Sequence, residues 1–166
     1  MANVTFNQNP VTLVGKELKI GDQAPDFTVL SNDLQEVTLS DYQGKIKLIS
    51  VVPSLDTGLC AEQTKRFNEE ASKLGNVQVL TISMDLPFAQ KRWATENRIE
   101  NLTTLSDYRQ AEFGEKYGVL IKELRLLARS IFVLDEKNKL IHVEYVKEVT
   151  NHPDYDKALE AVASLS

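Results

Sequence analysis

Pro53, Thr57 and Cys60 stand in the spacing Pro-x-x-x-Thr-x-x-Cys, and Arg129 interrupts the apolar run Leu126-Leu-Ala-Arg-Ser-Ile-Phe-Val-Leu134. These are the residue types a reactive thiol requires. If Thr57 caps a helix, Cys60 is its third residue, within the turn whose backbone N–H groups lack intrahelical partners. Those donors and the helix dipole favour an anionic sulfur. The Thr57 hydroxyl is placed to hydrogen-bond to the sulfur or to an oxygen of an incoming substrate. Pro53 has no N–H and stiffens the exit from the preceding strand, so it can shield the pocket wall from water. A buried arginine is costly unless an anion receives it, and its planar fork suits a thiolate, so Arg129 is the cation expected beside Cys60. Asp56 would oppose a thiolate and is expected to face solvent or a basic partner. Arg66, six residues beyond Cys60, points away on helical geometry.

Each of these residues also has a structural reading. A lone cysteine is more often a small buried hydrophobe. Thr57 can be a cap alone, Pro53 a strand terminator, and Arg129 the partner of a structural carboxylate. The shared spacing is what favours the chemical reading.

The elements that must position these groups are legible in outline. Ile46-Lys-Leu-Ile-Ser-Val-Val52 and Val77-Gln-Val-Leu-Thr-Ile-Ser83 read as central strands. Between them, positions 60, 64, 67, 71 and 74 follow helical spacing, stopped by Gly75-Asn76. Asp85-Leu-Pro87 predicts a helix to about Arg98, with Asp85 as its N-cap. A further helix is expected from Asp107 to Tyr117. A hairpin is expected over 130–134 and 140–146, then a last helix from Pro153 to Leu165. At the N-terminus, Val4-Thr-Phe6 and Val11-Thr-Leu-Val14 flank Asn7-Gln-Asn-Pro10 as a strand–turn–strand. Short strands are expected at 27–30 and 34–39. The whole is an α/β fold, a mixed central sheet flanked by helices with an N-terminal β-hairpin, in one domain spanning 1–166. Its site belongs beyond the carboxyl ends of the central strands, where the loop from Pro53 to Cys60 lies.

The net charge of −5 argues against a nucleic-acid partner, and no apolar run reaches membrane-spanning length. The first residues lack the basic start and apolar core of a signal peptide. One cysteine permits no intrachain disulfide and fits a reducing, cytoplasmic setting. His142 and His152 have no metal-ligand pattern around them and are expected to face solvent. Phe88 and Trp93 are expected in the core.

The spacing around Cys60 resembles the peroxiredoxin motif. Together with Asp85-Leu-Pro-Phe-Ala-Gln-Lys-Arg-Trp93, Leu124-Arg-Leu-Leu-Ala-Arg129 and Gly21-Asp-Gln-Ala-Pro-Asp-Phe27, it resembles the bacterial thiol peroxidase subfamily over nearly the whole chain. The resemblance implies a thioredoxin-like fold, a homodimer without metal or organic cofactor, and reduction of hydrogen peroxide and organic hydroperoxides. It implies Cys60 as the peroxidatic cysteine, Thr57 and Arg129 as its activating partners, and Pro53 as its shield. It also implies that Phe88 and Trp93 line an apolar collar suited to alkyl hydroperoxides. One position departs from the family. Ala94 stands where a resolving cysteine usually follows the Arg-Trp pair, so the sulfenic acid must be reduced by an external thiol, a small molecule or a redox protein such as thioredoxin. A thioredoxin-like peroxide sensor without sustained turnover is the alternative, and a thiol-transferase acting on mixed disulfides is a weaker one.

Overall fold

A computed structural model of the chain describes residues 3–165. Its centre is a seven-stranded sheet built from β4 (Thr28–Leu30), β5 (Glu36–Thr38), β6 (Ile46–Val51), β7 (Val77–Ser83), β8 (Thr103–Ser106), β11 (Ser130–Leu134) and β12 (Leu140–Tyr145). The order across it is β12-β11-β6-β7-β8-β4-β5. β6, β7 and β8 run parallel, and β11 and β4 flank them antiparallel. β6 is buried along its whole length, which explains its continuous apolar pattern.

Alternate residues of these strands feed two cores. Leu48, Val79, Ile131 and Val133 face α1 (Gly58–Ala71) and α4 (Tyr155–Ala163), meeting Phe67, Ala158 and Val162. Ile49, Val51, Ile82, Phe132 and Leu134 point to the opposite face, against Phe27, Phe113 and Tyr117. There the Phe113 and Tyr117 rings stack at 4.4 Å, and the edges of Phe27 and Phe132 meet them. α2 (Pro87–Glu96) packs beside β8, and α3 (Glu112–Lys116) beside β4.

The N-terminal hairpin is present but shorter than expected. β1 (Val4–Phe6) pairs with β2 (Asn9–Val11) around Asn7 and Gln8, both with positive φ. Leu13–Val14 forms β3 and joins a separate small sheet with β9 (Leu120–Ile121) and β10 (Leu126–Leu127). The expected helix from Asp107 is also shorter. Its residues 107–111 form a loop in which the Asp107 carboxylate accepts from the N–H groups of Phe113 and Gly114, at 3.1 and 2.8 Å, and so starts α3 from a distance. Gly118, at φ +68, passes so close to the Lys16 carbonyl that a Cβ there would lie 2.5 Å from its oxygen. No helix among the described residues is long and apolar enough to cross a membrane.

Candidate active site

Three parallel strands end side by side, and the loops that leave them build the site. The chain leaves β6 through Val52 and buried Pro53, turns at Ser54–Asp56, and enters α1. Thr57 is the N-cap of α1: its backbone is extended, and its hydroxyl accepts from the Cys60 N–H at 3.4 Å. Cys60 is therefore the third helical residue, as its spacing predicts. Its side chain is fully buried, packed with Val52, Leu55 and Trp93, with Ala94 and Ile99 at the edge of the same cluster.

Arg129 reaches this sulfur from the residue preceding β11. It is only 3% exposed, and each of its three nitrogens has a separate acceptor. Nε donates to the Val149 carbonyl at 2.7 Å, Nη1 to Gln63 Oε1 at 2.8 Å, and Nη2 to Cys60 Sγ at 3.3 Å. No carboxylate forms an ion pair with it among the described residues. The guanidinium thus keeps its full charge directed at the sulfur, in surroundings where charge interactions are poorly screened.

Nothing in the local sequence singles out Gln63. It sits one turn beyond Cys60 in α1, fully buried, and donates through Nε2 to Ser50 Oγ of β6 at 2.8 Å while receiving Arg129. Its amide therefore orients the guanidinium. On a helix rich in Glu, Lys and Arg a glutamine reads as a solvent-facing residue, and only a buried donor elsewhere in the chain reveals otherwise.

Asp56 is exposed and lies 3.9 Å from Arg92, away from the sulfur, as its charge requires. Arg66 is turned outward to Glu70 and Asp156 and lies over the Tyr155 ring. Trp93 lies in the core beside Cys60 at 8% exposure, but Phe88 is 66% exposed. The buried face of α2 is Pro87, Gln90 and Trp93, and Phe88 falls outside it. His152 is exposed, with Nδ1 2.9 Å from the Tyr155 hydroxyl. His142 departs from expectation: it is half-buried in β12, its Nε2 has no hydrogen-bond partner among the described residues, and burial lowers its pKa below the ordinary imidazole value.

Asp85 is the largest departure. The N-cap of α2 is Leu86, which makes no side-chain cap bond, and Pro87 opens the helix. The Asp85 carboxylate turns instead to the thiol loop. Oδ1 accepts from Ser54 Oγ at 2.7 Å, and Oδ2 accepts from the Leu55 N–H at 2.8 Å and Ser83 Oγ at 2.7 Å.

Comparison with known proteins agrees with this architecture. The Redoxin family model matches residues 19–159. A thiol peroxidase of Oceanobacillus iheyensis is 65% identical, with 96% of this chain and 97% of that protein covered. A thiol peroxidase of Bacillus subtilis is 62% identical over 99% of both. The crystal structure of a peroxiredoxin-like protein from Aquifex aeolicus superposes with a TM-score of 0.94 at 43% identity, covering 100% of this chain and 98% of that one. With a thiol under a buried arginine at the head of α1, on a fold and a sequence shared over nearly its whole length, the chain belongs to the Redoxin family and, within it, to the bacterial thiol peroxidases.

Proposed function

We propose that Cys60 is the peroxidatic centre of a thiol-dependent peroxidase acting on hydrogen peroxide and organic hydroperoxides. The observation that carries this reading is the Arg129 guanidinium, 3.3 Å from a buried sulfur and without a carboxylate to neutralise it. The thiolate attacks one peroxide oxygen. An S–O bond forms, the O–O bond breaks, and the electron pair leaves on the second oxygen, which takes up a proton and departs as water or an alcohol. Sulfur is oxidised to the sulfenic acid as the peroxide is reduced. Arg129 stabilises charge on sulfur and on the departing oxygen, Thr57 orients the peroxide, and Pro53 closes one wall against water.

Cys60 is the only cysteine of the chain, and Ala94 packs at the edge of its cluster, so the second half of the cycle uses an external thiol. That thiol forms an S–S bond with Cys60 as the S–O bond breaks and water leaves. A second thiol then releases Cys60 and carries away the disulfide. Small thiols and redox proteins of the thioredoxin kind have the required chemistry. The lone cysteine fits the reducing cytoplasm. The continuous sheet supports one domain, and the family resemblance supports a homodimer.

The test is peroxide consumption by the wild-type protein and by Cys60→Ser, with several thiol reductants in parallel. Sustained turnover by the wild type and none by Cys60→Ser is expected. A wild-type thiol that reacts no faster than free cysteine would overturn the proposal, and one stoichiometric oxidation without turnover would indicate a sensor.

A further inference from the structure

Asp85 gives up the end of its own helix to hold a loop 30 residues earlier in the chain. The N-terminus of α2 is left without a side-chain cap, and the Asp85 carboxylate makes three bonds elsewhere instead. Two of them end on the thiol loop, at Ser54 Oγ and Leu55 N–H. The third, from Ser83 Oγ, anchors the carboxylate to the end of β7, and Ser83 Oγ itself receives buried Gln90 at 3.0 Å. The Asp85 carbonyl accepts from Ser106 Oγ, so the ends of β7 and β8 are joined beneath the loop.

The Leu55 N–H and the Ser54 carbonyl are opposite ends of one planar peptide unit. Asp85 holds the N–H end. At the carbonyl end, the same unit accepts from the Thr57 N–H and from the Thr57 hydroxyl, each at 3.2 Å. With its proton committed to Ser54, the hydroxyl turns a lone pair to the Cys60 N–H. A carboxylate at one end of an amide polarises the carbonyl at the other and strengthens what it accepts. The side chain of Ser54 is fixed as well, donating to Asp85 and accepting from the Asp56 N–H at 3.1 Å.

Building on the peroxidase reading above, we infer that Asp85 is a positioning residue for the Cys60 reaction, acting through the Ser54–Leu55 peptide to fix the orientation of the Thr57 hydroxyl. It touches neither sulfur nor substrate. Its effect is confined to steps in which Thr57 takes part.

A double-mutant cycle tests this, with the fluorescence of Trp93, the only tryptophan and a neighbour of Cys60, reporting oxidation by hydrogen peroxide in single-turnover mixing. Asp85→Asn and Thr57→Val should each slow sulfenic acid formation by at least about tenfold, towards the roughly hundredfold cost of a misplaced reacting group. The double variant should be no slower than Thr57→Val, because the two act as one unit. Alkylation of Cys60 by iodoacetamide does not require an oriented peroxide and should stay within about twofold of wild type in Asp85→Asn, where a general loosening of the site would change both rates. Ser54→Ala, which removes one of the two loop bonds, provides the same cycle should Asp85→Asn not fold, with a several-fold loss that again vanishes beside Thr57→Val. A wild-type rate in Asp85→Asn, or full additivity with Thr57→Val, would overturn the inference while leaving the peroxidase reading intact. Failure of the wild type to react with peroxide would instead remove the reading on which it rests.

Discussion

β6 and β11 lie antiparallel through the centre of the sheet, and each end of this ladder carries a buried cation. Lys47 lies opposite Leu134 at one end, and Arg129 immediately precedes Ser130, the partner of Val51, at the other. Lys47 is 0% exposed and Arg129 3%. Neither forms an ion pair with a carboxylate among the described residues. The Lys47 ammonium donates to Asn138 Oδ1 and, at 3.4 Å, to the Asp135 carbonyl, both in the turn between β11 and β12. Burial lowers its pKa below the usual lysine value, and the nearby charges of Asp135 and Glu136 oppose that. Arg129 divides its donors among the Val149 carbonyl, Gln63 and the thiol. The difference lies in the last acceptor. Lys47 ends on oxygens that cannot change their charge, so its role is to fasten a turn. Arg129 ends on a sulfur that can become an anion, so its charge is available to chemistry. Burial of a cation alone does not mark a site; the nature of its acceptors does.

The largest effect expected from this contrast is that of Arg129→Ala. It removes the cation from the sulfur and leaves the Gln63 Oε1 and the Val149 carbonyl without a donor. Sulfenic acid formation should slow at least about tenfold. Stability should fall by roughly 3 kcal/mol, since each buried acceptor left unpaired costs about 1–3 kcal/mol. Single-turnover oxidation and urea unfolding measure the two separately. An unchanged oxidation rate would return Arg129 to the class of Lys47.

Much of this site can be read from the chain. A charge in the apolar run before β11 and a threonine three residues ahead of a cysteine are local signals; the structure brings Arg129 to the sulfur and the Thr57 hydroxyl to the Cys60 backbone N–H. Gln63, Asp85 and Asp107 are not legible in the same way, because what fixes each lies outside the local pattern. Gln63 is buried because Ser50 and Arg129 meet its amide. Asp85-Leu-Pro87 has every local mark of a helix cap, yet Ser54 and Leu55 compete for the carboxylate and win. Asp107 looks like the start of a helix that begins only at Glu112. The face of α2 is similarly misread: Gln90, whose Nε2 donates to Ser83 Oγ and the Leu105 carbonyl, occupies the buried position that Phe88 would be expected to take. β8, with the sequence Thr-Thr-Leu-Ser, has too little apolar character to stand out, and pairing with β7 and β4 makes it a strand.

A buried anion extends the comparison. Asp107 is 2% exposed and, among the described residues, has no cation in ion-pair contact; its carboxylate accepts from the N–H groups of Phe113 and Gly114. Burial outweighs these two bonds and pushes its pKa from 3.8 up to about 6, with Glu112 and Glu115 adding to the rise. Between those values the folded protein holds a proton that the unfolded chain has released. Its contribution to stability is therefore full below about pH 4 and lost as the pH rises to about 6, a change of ~3 kcal/mol. Glu148, held down to about 2 by bonds from Thr150, Gln8 and Thr5, gives the opposite slope at lower pH. Comparing urea midpoints of the wild type and Asp107→Asn from about pH 4 to about pH 7 isolates the Asp107 limb. Parallel profiles for the two proteins would mean that the loop relaxes to hydrate the carboxylate.

The smallest expected effect is the sharpest test of the contrast between the two cations. Lys47→Met keeps the length of the side chain, removes a charge from a dry position and leaves the Asn138 amide and the Asp135 carbonyl near the surface of their turn. Desolvation relieved and hydrogen bonds lost act in opposite directions, so stability should change by about 1 kcal/mol or less. The oxidation rate of Cys60 should stay within about twofold of wild type, as expected for a distant site that shares no partner with the thiol. The ladder itself joins the two ends. A tenfold loss of rate in Lys47→Met would therefore show that strain at the β11–β12 turn travels along β6 and β11 to the Arg129–Cys60 pair. The two cations would then be parts of one device, and the division between a fastening charge and a reactive one would fail.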